Sequence, residues 1–147
     1  MDLGIRDAAP SDRAEWLRLW NDYLAFYEVD LAADVTEYTW ERILDPASRV
    51  SMRVAMLGER MAGFAIYHFH DSTWVKTPDC YLEDLYVDGD IRGKGAGRAL
   101  MDDLITICKK MGWSRLYWNT GEDNHRAQKL YDSYVKSDGH IRYRITF

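Results

Sequence analysis

Residues 81–101 read YLEDLYVDGDIRGKGAGRALM. The first seven are apolar or acidic and predict a β-strand, read as CYLEDLYV from Cys80. The next ten form a loop with Gly93, Gly95 and Gly97 set among Arg92, Lys94 and Arg98. A helical pattern follows without a pause, and the spacing predicts a helix over 94–111. Glycine removes the side chain where a backbone must bend or come close to a ligand. The first-turn amides of a helix lack partners and carry partial positive charge. Strand, glycine loop, cations and helix mouth together define an anion site that suits a pyrophosphate.

The glycine spacing discriminates between phosphate loops. No Lys-Ser or Lys-Thr pair follows the glycines, so the nucleoside-triphosphate loop is absent. The G-x-G-x-x-G spacing is absent too, and the preceding strand lies mid-chain after a hairpin. What remains is R-x-x-G-x-G, from Arg92 to Gly97.

Outward from the loop, the chain predicts one domain over residues 1–147. LGIRDA is a first strand, and Pro10 and Ser11 open a helix capped by Ser11 or Asp12. Trp16, Leu19, Trp20, Tyr23, Leu24 and Tyr27 recur at helical spacing, a stripe for core packing. A second helix is expected to start at Thr36 or Thr39 and end near Asp45-Pro46. SRVSMRVAML and MAGFAIYHFH form a hairpin around residues 58–60. SRLYWNT is a strand, residues 124–134 a helix, and HIRYRITF a last strand. The fold class is α/β: three layers, a mixed and largely antiparallel sheet flanked by helices, order βααββ-βαβαβ.

Composition bounds the function. Apolar residues make up 47% and charged residues 29%, as in an ordinary globular protein, and no apolar run suits a membrane span. Cys80 and Cys108 have no metal or redox spacing, so a reducing, cytoplasmic setting and a buried apolar role are expected. A net charge of −5 argues against nucleic acid as partner. Residues 1–45 hold eleven acids and four arginines, so an acidic half stands beside a basic loop. His68 and His70 share a strand face but lack further ligands, so no metal is expected. Tyr38, Trp40 and Trp74 are read as packing or as the border of an acceptor channel.

The stretch LYVDGDIRGKGAGRALM resembles the main coenzyme A signature of the GNAT acyl-coenzyme A N-acyltransferases. LYWNTGEDNHRAQKLYDSY is similar to that family's second conserved region, and together the two cover residues 80–134. YLEDLYV resembles the diamine (spermidine/spermine) acetyltransferase branch. The resemblance implies acetyl-coenzyme A as cosubstrate. Leu85, Tyr86 and Val87 would run along the pantetheine arm. Residues Arg92, Gly93, Lys94, Gly95, Ala96, Gly97 and Arg98 would hold the pyrophosphate, and Asn124 would reach the arm from the far side. Tyr131 would stand near the thioester sulfur, and Glu83 and Asp84 would face the amine. The acceptor site would lie around the first two helices, with Tyr27, Glu28, Asp30, Asp34 and Glu37. Many relatives continue into a Gly-Phe pair that this chain lacks, which implies a shortened or rearranged C-terminal edge and a homodimer by strand exchange or side-by-side pairing.

The chemistry points the same way. An alkylamine has a pKa of about 10.4, so well under one part in a hundred is reactive at pH 7. A carboxylate must hold the cation and take its proton, and either Glu83 or Asp84 serves. Neighbours in a strand alternate faces, so the two are expected not to face the amine equally. Tyr131 is the candidate proton donor to the leaving sulfur, and an amide near Leu85 could polarise the thioester carbonyl. The acceptor expected is a small cationic amine: a polyamine, a lysine-like amino acid or a basic peptide. An aminoglycoside acceptor, or an idle coenzyme A sensor, are the alternatives.

Overall fold

The computed structural model describes residues 2–147. Five strands form one sheet in the order β1-β2-β3-β4-β5. They are β1 (Leu3–Asp7), β2 (Val50–Leu57), β3 (Arg60–His70), β4 (Asp79–Val87) and β5 (Arg115–Trp118). The first four pair antiparallel, and β4 and β5 pair parallel. The helices are α1 (Arg13–Phe26), α2 (Ala33–Leu44), α3 (Ala96–Met111) and α4 (His125–Asp132).

Two apolar layers sandwich the sheet. On one side Trp16, Leu19 and Trp20 of α1 and Trp40 of α2 meet Met52, Val54, Met61, Phe64 and Ile66. Trp16 is fully buried, its ring 5.1 Å from Trp20 and 5.2 Å from Trp40. On the other side Leu100, Met101, Leu104 and Cys108 of α3 meet Ala62, Ala65, Tyr67, Cys80 and Leu82. Because both faces of β3 are covered, Met61 to Tyr67 are buried without alternation. The aromatic stripe of α1 thus packs the core as far as Leu24, while Tyr27 at its end is exposed. Both cysteines are free and buried, as read from the sequence.

Several boundaries differ from expectation. Pro10–Asp12 is a short 3-10 turn, and α1 begins only at Arg13. Asp12 does not cap α1. Its carboxylate accepts from the Ala9 amide at 2.8 Å and binds the Arg6 guanidinium at 2.7 Å. Helix α2 starts at Ala33, not at Thr36 or Thr39, because Ala33-Asp34-Val35 contains no breaker and Asp34 suits the positive helix end. Helix α3 starts at Ala96, not at Lys94: Gly93 (φ 84°) and Gly95 (φ 81°) are left-handed and belong to the loop. The expected last strand does not form. Residues 136–147 carry no strand or helix, and Ile141, Tyr143, Ile145 and Phe147 are exposed. Alternation alone does not make a strand when no partner edge is at hand. Among the described residues, no helix is long and apolar enough to cross a membrane.

Candidate active site

The site is built on a slip in β4. Ile66 of β3 pairs with Asp84, but the next residue, Tyr67, pairs with Leu82. Glu83 is therefore an extra residue, a β-bulge, and a bulge breaks the alternation of faces. Leu82 before it and Leu85 and Val87 after it pack toward α3. Glu83 and Asp84 both turn toward α1. Asp84 Oδ1 accepts the Tyr23 hydroxyl at 2.8 Å, and Glu83 Oε1 lies 2.9 Å from His68 Nε2. One inserted residue thus sets both on one face, where alternation alone would have opposed them, while Glu83 stays exposed and Asp84 is half-buried.

The two carboxyls are perturbed in opposite senses. Burial pushes Asp84 up to about 6; the Tyr23 hydrogen bond opposes this and the Glu83 charge adds to it. The bond to His68 holds Glu83 below its ordinary value against partial burial. Adjacent carboxyls driven apart in this way are fitted to two different tasks.

Beyond the bulge, β4 loses its neighbour. Pairing with β5 runs only from Asp79 to Leu82, so residues 83–87 show β5 an edge with no strand partner. Such an edge accepts an extended, amide-bearing chain as an added strand. Tyr131 stands across the gap on α4, its ring 5.3 Å from Trp118 at the end of β5. Burial raises its phenol to about 12, with a further push from Tyr27, so it keeps its proton near neutrality.

At the end of β4 the chain enters the glycine loop through Asp88. This residue is buried and binds Arg18 at 2.7 Å, Arg60 at 2.8 Å and the Asp90 amide at 2.9 Å. Burial alone would raise the Asp88 carboxyl, but these partners hold it down at about 2. The loop is thereby pinned to α1 and β3. Left-handed Gly93 and Gly95 lead its backbone into the first turn of α3, beside exposed Arg92, Lys94 and Arg98. A side chain at Gly97 would meet Leu130 at 3.3 Å and Val87 at 3.6 Å, so glycine there lets α4 close on α3. These features fit a coenzyme A: amides and cations for the pyrophosphate, an open strand edge for the arm.

The remaining predicted residues divide. Asn124 is the N-cap of α4, its side chain accepting from the Ala127 amide at 3.4 Å. Arg98 leans on α4, donating to Ser133 at 3.1 Å. Tyr86 points toward α1 and packs against Tyr23. Tyr27, Glu28 and Asp30 lie exposed at the end of α1, where Glu28 takes a left-handed turn (φ 55°). Asp34 is exposed, and Glu37 pairs with Arg13. Sequence reasoning missed Tyr23 and His68 as partners of the carboxylates and Asp88 as the loop anchor. Tyr23 was legible only as part of the core stripe. Among the described residues, no group of three or more His, Cys, Asp or Glu converges as a metal site.

The profile of the acetyltransferase (GNAT) family matches residues 15–134, and the chain belongs to that family. It is 30% identical over 142 residues to the D-amino-acid N-acetyltransferase of Saccharomyces cerevisiae, covering 95% of this chain and 88% of that one. It is 34% identical over 97 residues to the thialysine N-epsilon-acetyltransferase of Caenorhabditis elegans, covering 63% of this chain and 60% of the relative. The ribosomal-protein-alanine N-acetyltransferase of Brucella melitensis biovar Abortus shares the fold, with a TM-score of 0.83 over 99% of both chains at 23% identity. The protein is therefore an acyltransferase, with relatives in the diamine acetyltransferase-like branch.

Proposed function

We propose that the protein is an acetyl-coenzyme A dependent N-acetyltransferase for a primary amine of a small cationic acceptor. A polyamine, a lysine-like amino acid or a basic peptide fits. The observation that carries this reading is the bulge, which sets two oppositely perturbed carboxylates on one face beside the anion cradle. The named relatives are a D-amino-acid N-acetyltransferase and a thialysine N-epsilon-acetyltransferase, the second acting on an acceptor that resembles lysine.

Acetyl-coenzyme A, when bound, supplies the activated acetyl group. The amides of residues 92–98 would hold its pyrophosphate, the open edge at residues 85–87 would hold its arm, and Asn124 would reach the arm from the far side. The acceptor arrives as an ammonium, drawn by the acidic segment with Tyr27, Glu28 and Asp30. Asp84 holds it, because an arriving cation offsets the desolvation of a half-buried carboxylate. Glu83, more exposed and bonded to His68, removes the proton. As the new N–C bond forms and the C–S bond breaks, Tyr131 donates its proton to the sulfur, the nitrogen gives up its second proton, which restores the Tyr131 phenol through water, and an amide near Leu85 polarises the carbonyl. Metal plays no part in this scheme.

The C-terminal segment supports a homodimer. Residues 141, 143, 145 and 147 alternate as exposed apolar groups, and β5 ends the sheet with a free edge that a second copy can extend. Sedimentation of the full chain against one lacking residues 140–147 checks it. The function is tested by thiol release from acetyl-coenzyme A with spermidine, lysine, a neutral amine and glutamate. Cationic amines should give the highest kcat/KM; a preference for glutamate or the neutral amine contradicts the reading.

A further inference from the structure

A base that takes a proton in every turnover must also lose it. Glu83 is half-exposed, yet its Oε1 is bonded to an imidazole: His68 Nε2 at 2.9 Å. The contact is set by the backbone. His68 lies two residues past Ile66 on β3, hence on the same face, and the bulge turns Glu83 onto that face. His68 is itself held edge-on by Tyr81, ring centres 5.3 Å apart. Tyr81 stacks on Tyr117 at 4.9 Å, and Asn119 donates to the Tyr81 hydroxyl at 3.2 Å. The Tyr117 hydroxyl meets His70 Nε2 at 2.7 Å. This row of aromatic rings runs away from Asp84 toward the open end of the sheet and fixes the His68 ring without burying it.

We propose that His68 is the exit for the proton that Glu83 removes from the acceptor, a positioning and proton-carrying residue for deprotonation. The inference rests on the acetyltransferase reading above. Imidazole is the side chain that exchanges protons with water near neutrality. The transfer balances: R–NH3+ gives its proton to the Glu83 carboxylate, Glu83 passes it to His68, and His68 releases it to water, leaving R–NH2 to attack. Asp84 has no such route. Its polar partner is Tyr23, whose own proton is held more firmly by burial and by the Asp84 charge. The groups facing the dyad are Tyr81 on β4, Tyr23 and Asp84 toward α1, Arg42 of α2 and Arg144 of the C-terminal segment. Both arginines favour a Glu83 that is ionised again after each turnover.

The test uses the full chain with a saturating diamine. His68→Gln keeps an N–H donor for Glu83 but carries no proton; His68→Ala removes both. Each should lower kcat about ten- to hundredfold near pH 7 while KM stays within about twofold. The deficit should shrink toward pH 9, where more of the amine is already neutral. Added imidazole should restore His68→Ala and not His68→Gln. In the ligand-free protein, Glu83→Gln should shift the imidazole 15N signals of His68. A His68→Gln enzyme with parental kcat and pH profile overturns the proposal. So does an equal loss at every pH without imidazole rescue, which marks a prop, or an unmoved 15N signal. A parent that acetylates no amine overturns both this inference and the reading beneath it.

Discussion

Asp84 is kept at about 6, chiefly by burial, although an unfolded Asp titrates near ~3.9. The folded chain thus binds that proton more tightly than the unfolded chain. The stability tied to it is complete below about pH 4 and is lost as pH climbs through 6. Asp84→Asn keeps an acceptor for the Tyr23 hydroxyl and removes the buried charge. The variant should be more stable than the parent at pH 8 by roughly 1–3 kcal/mol, and equal to it below pH 4. Thermal melts at the two pH values check this, and a variant that melts lower at pH 8 contradicts it. At this scale the sequence was only partly legible. Glu83, Asp84 and Tyr131 stand out beside a glycine loop, whereas Tyr23 is 61 residues from Asp84 and its hydroxyl looks like any other on a core stripe. His68 meets Glu83 only because β3 and β4 pair in one particular register.

The strand, loop and helix from β4 to α3 act as one element. Gly95 sits at φ 81° as the N-cap of α3, with nothing within 4 Å of where a Cβ would stand. The constraint there is conformational, because a left-handed L-residue costs roughly 1–2 kcal/mol and a β-branched one more. Gly95→Val should re-aim the loop amides and leave the two cores intact. Loss of one or two charge-assisted hydrogen bonds, each worth about 1.5–3 kcal/mol, should weaken coenzyme A binding at least about tenfold. Calorimetry checks it, and unchanged affinity in a folded variant removes the pyrophosphate from this loop. The element was legible because cations, glycines and helical spacing coincide over a few residues. The bulge was not, since a strand with an extra residue has the same composition as one without. The missing last strand shows the converse: HIRYRITF alternates well, but pairing requires an edge, and alternation does not say whether one is within reach.

Across the whole molecule, charge is separated along the chain. Residues 1–45 carry a net −7, and the cationic loop follows β4. Under the proposed function, each field would steer a ligand of the opposite sign toward the site. The α/β layering and the element order as far as α4 were legible from periodicity, and the family from two motifs over residues 80–134; the proposed division of labour between the carboxylates was not. Steady-state kinetics of Glu83→Gln and Asp84→Asn beside the parent, with a diamine as acceptor, tests that division most directly. Asp84→Asn should raise KM for the diamine about tenfold or more with kcat largely kept. Glu83→Gln should lower kcat about a hundredfold and flatten the rise in rate between pH 7 and 9. Two variants that both retain the parent's kinetics and pH profile would contradict the account.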